Sequence, residues 1–332
     1  MERLVRCWYR PCPWRYLLAP VSLLFFLAVW LRRLAYRAGW LRAERLPVPV
    51  VVIGNIAVGG TGKTPLTIWL VEQLRQAGWR PGIVGRGYGG QRKGVAPATP
   101  DSDPRDVGDE PVLLAQRTGC PVWIGRRRAD AARQLLAFHP EVDVILADDG
   151  LQHYALARDV ELIVVDGERG FGNGWLLPAG PLREPQSRLD SVDAVIVNGG
   201  RPLPDIRPPQ FAMALVGRRF WKLGQPDRTV EADFFAGRAV QAFAGIGNPN
   251  RFFQALAALG IRAETHALPD HYRYRPEDLP SATLLMTEKD AVKCSTFQPA
   301  DAWALRIDAE VEAGLKHIIL EKIGSSHGRQ TA

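Results

Sequence analysis

The residues best suited to chemistry lie early in the chain. Asn55-Ile56-Ala57-Val58-Gly59-Gly60-Thr61-Gly62-Lys63-Thr64-Pro65 follows directly on the apolar run from Val48 to Ile53. A buried strand feeding a glycine-rich turn that ends in Gly-Lys-Thr suits a nucleoside triphosphate, because glycine lets backbone N–H groups curl around phosphate oxygens. In that pattern Gly59, Gly60, Thr61 and Gly62 form the cradle, Lys63 neutralises the β- and γ-phosphates, and the Thr64 hydroxyl ligates Mg²⁺. Leu66, Trp69, Leu70, Leu74 and Ala77 continue with amphipathic helical spacing, so a helix N-terminus faces the anion. The usual pattern, G-x-x-x-x-G-K-[ST], has its first glycine where Ala57 stands, so the turn is expected to begin differently, using Gly59 and Gly60.

A phosphate loop also needs an acidic partner for the metal. Val144 to Gly150 reads as an apolar strand ending in Asp148 and Asp149, where ligands gather at the carboxyl ends of parallel strands. The bland alternative is a pair of solvated aspartates in a turn before glycine. Gln152 and His153 follow at the same edge, placed to orient a phosphate or a hydroxyl or merely hydrogen-bonded there. Asp109 precedes an apolar helical run and, taken alone, reads as an N-cap before it reads as a catalytic base. His271 lies among polar residues and needs a cleft between two domains to come near a nucleotide.

The elements that must position these groups alternate strand and helix from Val48 onward, the pattern of a mostly parallel α/β sheet. Strands are expected at 48–53, 81–84, 121–124, 142–147, 160–165 and 193–197, with helices near 63–77, 109–117 and 126–138. A Pro- and Gly-rich zone, 201–209, reads as a linker between a phosphate-loop domain (46–200) and a smaller α/β domain (210–323). The smaller domain has expected strands at 239–244, 261–267, 282–286 and 302–307, and helices at 251–259 and 312–323. Residues 324–332 read as a disordered tail.

Composition narrows the class. The 332 residues are 46% apolar and 23% charged, ample for two domains. The four cysteines lack the spacing of a zinc site or redox pair, which suits a reducing compartment. Residues 1–45 hold nine arginines against two glutamates, which equals the whole net charge of +7. The basicity is therefore local, and a nucleic-acid-binding body is not expected.

Within that segment Tyr16 to Leu31 are sixteen uncharged residues, flanked by Trp14 at one end and Tyr36 and Trp40 at the other. A helix of that length spans roughly 24 Å, short of a ~30 Å hydrocarbon core. A secretory signal lacks a convincing cleavage site and would part the phosphate loop from ATP; a buried core helix is the plain alternative. A membrane anchor over residues 1–45, dipping or spanning, is the favoured reading, with Arg32, Arg33 and Arg37 attracted to anionic lipid.

The motifs GNIAVGGTGKTP, GRGYGG (Gly85–Gly90), VGDEP (Val107–Pro111), ADDGLQH (Ala147–His153), LLPAGPLREP (Leu176–Pro185), PDHY (Pro269–Tyr272) and TEKDAVK (Thr287–Lys293) occur in this order. Together they resemble the tetraacyldisaccharide 4'-kinase family of lipid A biosynthesis, whose phosphate loop also lacks the first glycine. The resemblance implies a phosphate-loop NTPase-like fold with a second, smaller α/β domain and an N-terminal membrane-associated helix. It implies a Mg²⁺-ATP kinase at the cytoplasmic face of the inner membrane of a Gram-negative bacterium; separately, a monomer is expected. Its acceptor would be the 4'-hydroxyl of an acylated glucosamine disaccharide 1-phosphate. Carried over by motif, Lys63 would contact the β- and γ-phosphates, and Gln152 and Arg183 would lie at the nucleotide. Thr64, Asp148, Asp149 and Glu184 would serve the metal. Asp109 would take the hydroxyl proton with His271 supporting it.

Two other classes compete. A regulatory GTPase or metallochaperone normally carries [NT]-K-x-D, whereas Thr287-Glu288-Lys289-Asp290 sets its lysine against the aspartate, and no Cys/His cluster offers a cargo site. A membrane-bound ATP sensor without transfer activity would leave Asp109 and His271 idle.

Overall fold

The structure is a computed structural model that describes residues 2–10, 13–279, 282–297 and 299–326. Its first half runs α1 (Glu2–Tyr9), α2 (Trp14–Arg37), β1 (Val50–Gly54), α3 (Lys63–Gln76), β2 (Pro81–Gly85), β3 (Ala96–Ala98), α4 (Pro104–Val107) and α5 (Asp109–Thr118). It continues with β4 (Val122–Ile124), α6 (Arg128–Phe138), β5 (Val144–Asp148), β6 (Val160–Asp166) and β7 (Ala194–Asn198). The second half runs β8 (Gln210–Lys222), β9 (Gln225–Glu231), β10 (Val240–Ala244), α7 (Pro249–Ala258), β11 (Ala263–Ala267), β12 (Thr283–Thr287), α8 (Glu288–Lys293), β13 (Ala302–Val311) and α9 (Gly314–Ser326).

One sheet runs through both halves in the order β11-β10-β12-β13-β8-β7-β6-β1-β5-β2-β4-β3, with β9 added to β8. It is mostly parallel; the antiparallel pairs are β3/β4, β8/β13 and β8/β9. The central strands are apolar on both faces because helices cover both. Val51 and Ile53 pack with Leu66, Leu70 and Leu74 of α3, while Val50 and Val52 pack with Ala132 and Leu135 of α6. β8 joins the halves: Gln210 to Met213 pair in parallel with β7, and the rest pairs antiparallel with β13. α9 then returns, and Leu315, Ile319 and Ile323 enter the same core as α3. Residues 314–323 of the expected second domain thus pack on the first half. That helix runs to Ser326, so 324–326 are helical rather than tail, and 327–332 lie outside the described residues.

Three strands escape a reading by pattern. β3 is three residues long, β9 is the polar, exposed run QPDRTVE on the sheet's margin, and β8 interrupts its alternation where it changes partner. α8 is also too short for periodicity to register; it begins where the Thr287 hydroxyl accepts from Asp290 N.

α2 is longer than expected, 24 residues or roughly 36 Å, and is the one helix among the described residues long and apolar enough to cross a membrane. A core helix it is not. Its single buried residue is Ser22, whose hydroxyl donates to Leu176 O at 2.9 Å and accepts from Ala179 N at 3.0 Å. Leu17, Leu23, Leu24, Leu27, Trp30 and Leu31 are exposed. Cys120 and Cys294 are buried free thiols, whereas Cys7 is disulfide-bonded, which the cysteine spacing gave no reason to expect.

Candidate active site

The register of the sheet brings the two phosphate-site motifs together. Ile53, next to the last residue of β1, lies opposite Asp148, the last residue of β5. The turn 55–62 and the Asp148-Asp149 pair therefore leave the sheet side by side, at its carboxyl edge. Gly62 has φ +99° just before α3, and a Cβ there would lie 2.6 Å from Asn198 Nδ2 and 3.0 Å from Met213 Cε. Only glycine fits that turn.

The missing first glycine has a structural reason. Residues 56–58 bend around a single antiparallel bridge to the segment 181–183: Val58 N donates to Pro181 O at 2.8 Å, and Arg183 N to Ile56 O at 2.6 Å. Ala57 bridges Leu182 there, a position any side chain of modest size accepts. Asn55 Nδ2 reaches back to Ala57 O at 2.6 Å and Gly59 O at 3.3 Å, holding the curl that begins at Gly59.

The same bridge delivers Arg183. Its Nη1 lies 3.3 Å from both carboxylate oxygens of Asp149, and Lys63 Nζ lies 3.4 Å from Asp149 Oδ1. Asp149 adopts φ +48°, a conformation aspartate tolerates, and this turns its carboxylate toward Lys63. Burial works against its charge, but Lys63 and then Arg183 outweigh it and hold the carboxyl down to about 2. Asp148 is the opposite case. Burial first, and the Glu110 carboxylate next, push it up to about 7, against the pull of Lys63; Thr67 Oγ1 donates to its Oδ1 at 3.2 Å. One aspartate is thus charged and paired, and its neighbour is short of positive charge.

The expected nucleotide and metal residues divide into two sets. Gly59 to Thr64, Asp148, Asp149 and Arg183 converge on the turn. Gln152 and Glu184 stand behind it: Gln152 Nε2 donates to Asn55 O and Glu184 Oε1, both at 3.0 Å. Glu184 is buried, its other oxygen accepts from the Tyr154 hydroxyl, and Arg188 Nε lies 3.4 Å away. Both Glu184 oxygens are thereby engaged with protein donors, in a network that braces Asn55. His153 is likewise spent: its Nε2 accepts from Arg128 N at 3.0 Å, and burial with Arg128 and Arg158 nearby lowers it to about 4, so it is neutral.

Across the sheet edge, His271 Nδ1 lies 3.0 Å from Asp109 Oδ2. Asp109 is the first residue of α5, yet its side chain caps no more than its neighbour, accepting from Glu110 N at 2.9 Å. Burial opposes its charge, but the His271 hydrogen bond and Lys289, His271 and Lys293 keep it below the ordinary carboxylate range. His271 is raised in turn, first by that hydrogen bond. β10 ends at Ala244 beside this pair, and a methyl group on Gly247 in the following loop would lie 3.9 Å from Gly60 N, so the second half reaches the phosphate turn. A cavity of about 260 Å³ opens next to the pair, lined by Asp109, His271, Arg105, Arg273, Arg275 and Lys293.

Glu110, Lys289 and Lys293 carried no expected role. Lys289 and Lys293, four apart on α8, face α5: Lys289 pairs with Glu110, and Lys293 Nζ lies 3.8 Å from Asp109 Oδ2 and 2.9 Å from Asp290 Oδ1. The signal was present as Lys-x-x-x-Lys in TEKDAVK and Asp-Glu in VGDEP, but only the fold shows that these two motifs meet.

The residues fit a triphosphate with its metal. Thr61 Oγ1 and Asn55 Oδ1 are buried on the turn without a hydrogen-bond partner, a Cβ on Gly60 would meet nothing within 4 Å, and Lys63, Thr64 and two carboxylates converge there. Such a turn, with an acidic strand end and a carboxylate–imidazole pair at 3.0 Å, defines a phosphate-loop kinase. The family described as tetraacyldisaccharide-1-P 4'-kinase matches residues 14–324. The chain belongs to the tetraacyldisaccharide 4'-kinase family. It is 51% identical to the tetraacyldisaccharide 4'-kinase of Methylobacillus flagellatus, covering 96% of this chain and 95% of that protein. To that of Azoarcus sp. it is 53% identical, covering 98% and 96%. Among solved structures it resembles the "apo" form of LpxK from Aquifex aeolicus in complex with ATP, with a TM-score of 0.78 and 28% identity over 93% of this chain and 99% of that one.

Proposed function

We propose that this chain transfers the γ-phosphate of ATP to the 4'-hydroxyl of a tetraacylated glucosamine disaccharide 1-phosphate, in lipid A biosynthesis. The observation that carries the reading is the Asp109–His271 pair at 3.0 Å, set at the same sheet edge as the Lys63 turn. Asp109, held ionised, accepts the proton as the hydroxyl oxygen attacks phosphorus, and ADP leaves. His271, by its hydrogen bond, fixes which lone pair of the carboxylate is free. Lys63 and Arg183 balance charge on the transferring group, and α3 directs its N-terminus at the phosphates. Mg²⁺ bound with ATP would neutralise the β- and γ-oxygens, with Thr64, Asp148 and Asp149 as the residues to hold it. Glu184 and Gln152 act behind them, through Asn55, on the shape of the turn.

The cavity beside Asp109 is proposed as the sugar site, its arginines and Lys293 suited to a phosphorylated acceptor. The half from β8 to β13 acts as the smaller domain that closes this cleft and excludes water. The exposed apolar face of α2 is proposed to seat the enzyme in the inner membrane at its cytoplasmic face, where the lipid acceptor and ATP meet. The test is transfer of labelled γ-phosphate from ATP to the tetraacylated disaccharide 1-phosphate in detergent micelles, with Lys63→Ala and Asp109→Ala alongside. A bisphosphorylated lipid, sharply reduced in both variants, is expected; ATP binding without lipid product would overturn the reading.

A further inference from the structure

A second cavity, of about 350 Å³, lies away from the phosphate turn, where the last turns of α2 meet the first half of the sheet. Arg33, Tyr36 and Arg37 form its wall on the helix, and Tyr154, Arg158 and Arg188 face them. Its carboxylates are already committed. Glu161 pairs with Arg158 at 2.8 Å and with Arg188 at 2.5 Å, Asp159 with Arg45 at 3.1 Å, and Asp193 with Lys322 at 2.5 Å. Arg33 and Arg37, four apart and so on one face of the helix, make no ion pair or side-chain hydrogen bond among the described residues. Two guanidinium groups with unused donors thus line a space large enough for a phosphate group. Each presents a planar fork that matches phosphate oxygens.

The cavity's position indicates the kind of ligand. On α2 the exposed Leu23, Leu24, Leu27, Trp30 and Leu31 immediately precede Arg33, and Trp40 follows, 77% exposed. Acyl chains meeting that apolar face would bring the adjoining headgroup level with Arg33 and Arg37, where indole rings also prefer to lie. Tyr36 and Tyr154, with ring centroids 5.7 Å apart, wall the cavity with amphipathic rings. We propose that this cavity is a binding site for the phosphate headgroup of an anionic phospholipid, clamped by Arg33 and Arg37. The proposal deepens the membrane reading above and rests on it: the helix is held by one particular lipid as well as by diffuse attraction.

Native mass spectrometry of the full chain in detergent, equilibrated with phosphatidylglycerol or phosphatidylcholine, tests it, with the charge-preserving pair Arg33→Lys/Arg37→Lys as the variant. Expected is one retained phosphatidylglycerol, favoured over phosphatidylcholine by roughly 30-fold through the two charges; the lysine pair keeps that charge-based preference but, having lost the forks, retains several-fold less phosphatidylglycerol than wild type. Equal retention of both lipids, or undiminished retention by the lysine pair, would overturn the site. So would displacement of phosphatidylglycerol by equimolar acylated disaccharide 1-phosphate, which would make the cavity part of the substrate site. Flotation on phosphatidylcholine vesicles reads the apolar helix separately, and its failure would overturn the membrane reading itself.

Discussion

His271 Nδ1 and Asp109 Oδ2 stand 3.0 Å apart although 162 positions separate them in the chain. Neither residue is placed by its own element alone. Asp109 opens α5, His271 lies in the loop after β11 with φ +58°, and α8 holds the two loops in register.

The pair should be legible in pH dependence. His271 is raised above the ordinary histidine value, about 6.5, by its bond to Asp109. Its contribution to stability is then fully present below that ordinary value and lost as pH rises through the folded-state value. Melting curves of wild type and His271→Ala should differ most in mild acid and converge in mild alkali. Transfer activity of Asp109→Asn should fall by about 10²–10⁴ with ATP affinity little changed, read by steady-state kinetics and nucleotide titration.

Asp148 should show a conflict between stability and activity. Its folded-state value, pushed up to about 7, lies above the unfolded value near 4, so ionising it in the fold costs stability progressively between those two pH values. Asp148→Asn should therefore melt higher than wild type at pH 8 in chelator, by more than about 1 kcal/mol, with the difference shrinking toward pH 4, and should lose transfer activity. A variant that melts lower than wild type at pH 8 would contradict this account.

Lys63 is the principal counter-charge of Asp149 and the only lysine on the turn. Lys63→Met should reduce turnover by about 10²–10³, as loss of one charged donor to a transferring group does. It should also let the Asp149 carboxyl rise from about 2, because burial then acts against fewer cations. Single-turnover kinetics report the first effect, and the pH dependence of unfolding in acid reports the second.

The joint between α5 and α8 rests on a buried ion pair. Arg117 Nη1 lies 2.7 Å from both oxygens of Glu288, whose Oε2 also accepts from Ile307 N at 3.0 Å, and both side chains are less than a tenth exposed. Arg117→Met leaves Glu288 buried without its cation and should cost about 3–5 kcal/mol. Adding Glu288→Leu should restore most of it, in denaturant unfolding of the single and double variants. Additive losses would show that the charge left behind is not the cause.

Local pattern carried much of the architecture. Runs such as Val50–Gly54 and Val144–Asp148 are strands because they are short, apolar on both faces and followed by turn residues, all of which can be read within a few positions. The phosphate turn and the Asp148-Asp149 strand end were legible for the same reason: their chemistry lies in adjacent residues. β9 was not, since its strand state comes only from pairing with β8.

The sequence by itself determined which residue types were available: Gly-Lys-Thr after a strand, two aspartates at another strand's end, and an arginine-rich apolar start. The resemblance to the kinase family further implied roles for Asp109 and His271. Only the tertiary structure decided which groups meet. It set Ile53 opposite Asp148, bridged Ala57 to Leu182 at the entry of the phosphate turn, committed both Glu184 oxygens to protein donors, and brought Lys289 and Lys293 onto Glu110 and Asp109. The reason is one of range. Helix and strand preferences act over a few residues, whereas the charge on a buried carboxylate depends on every group within several ångströms, whatever its distance along the chain.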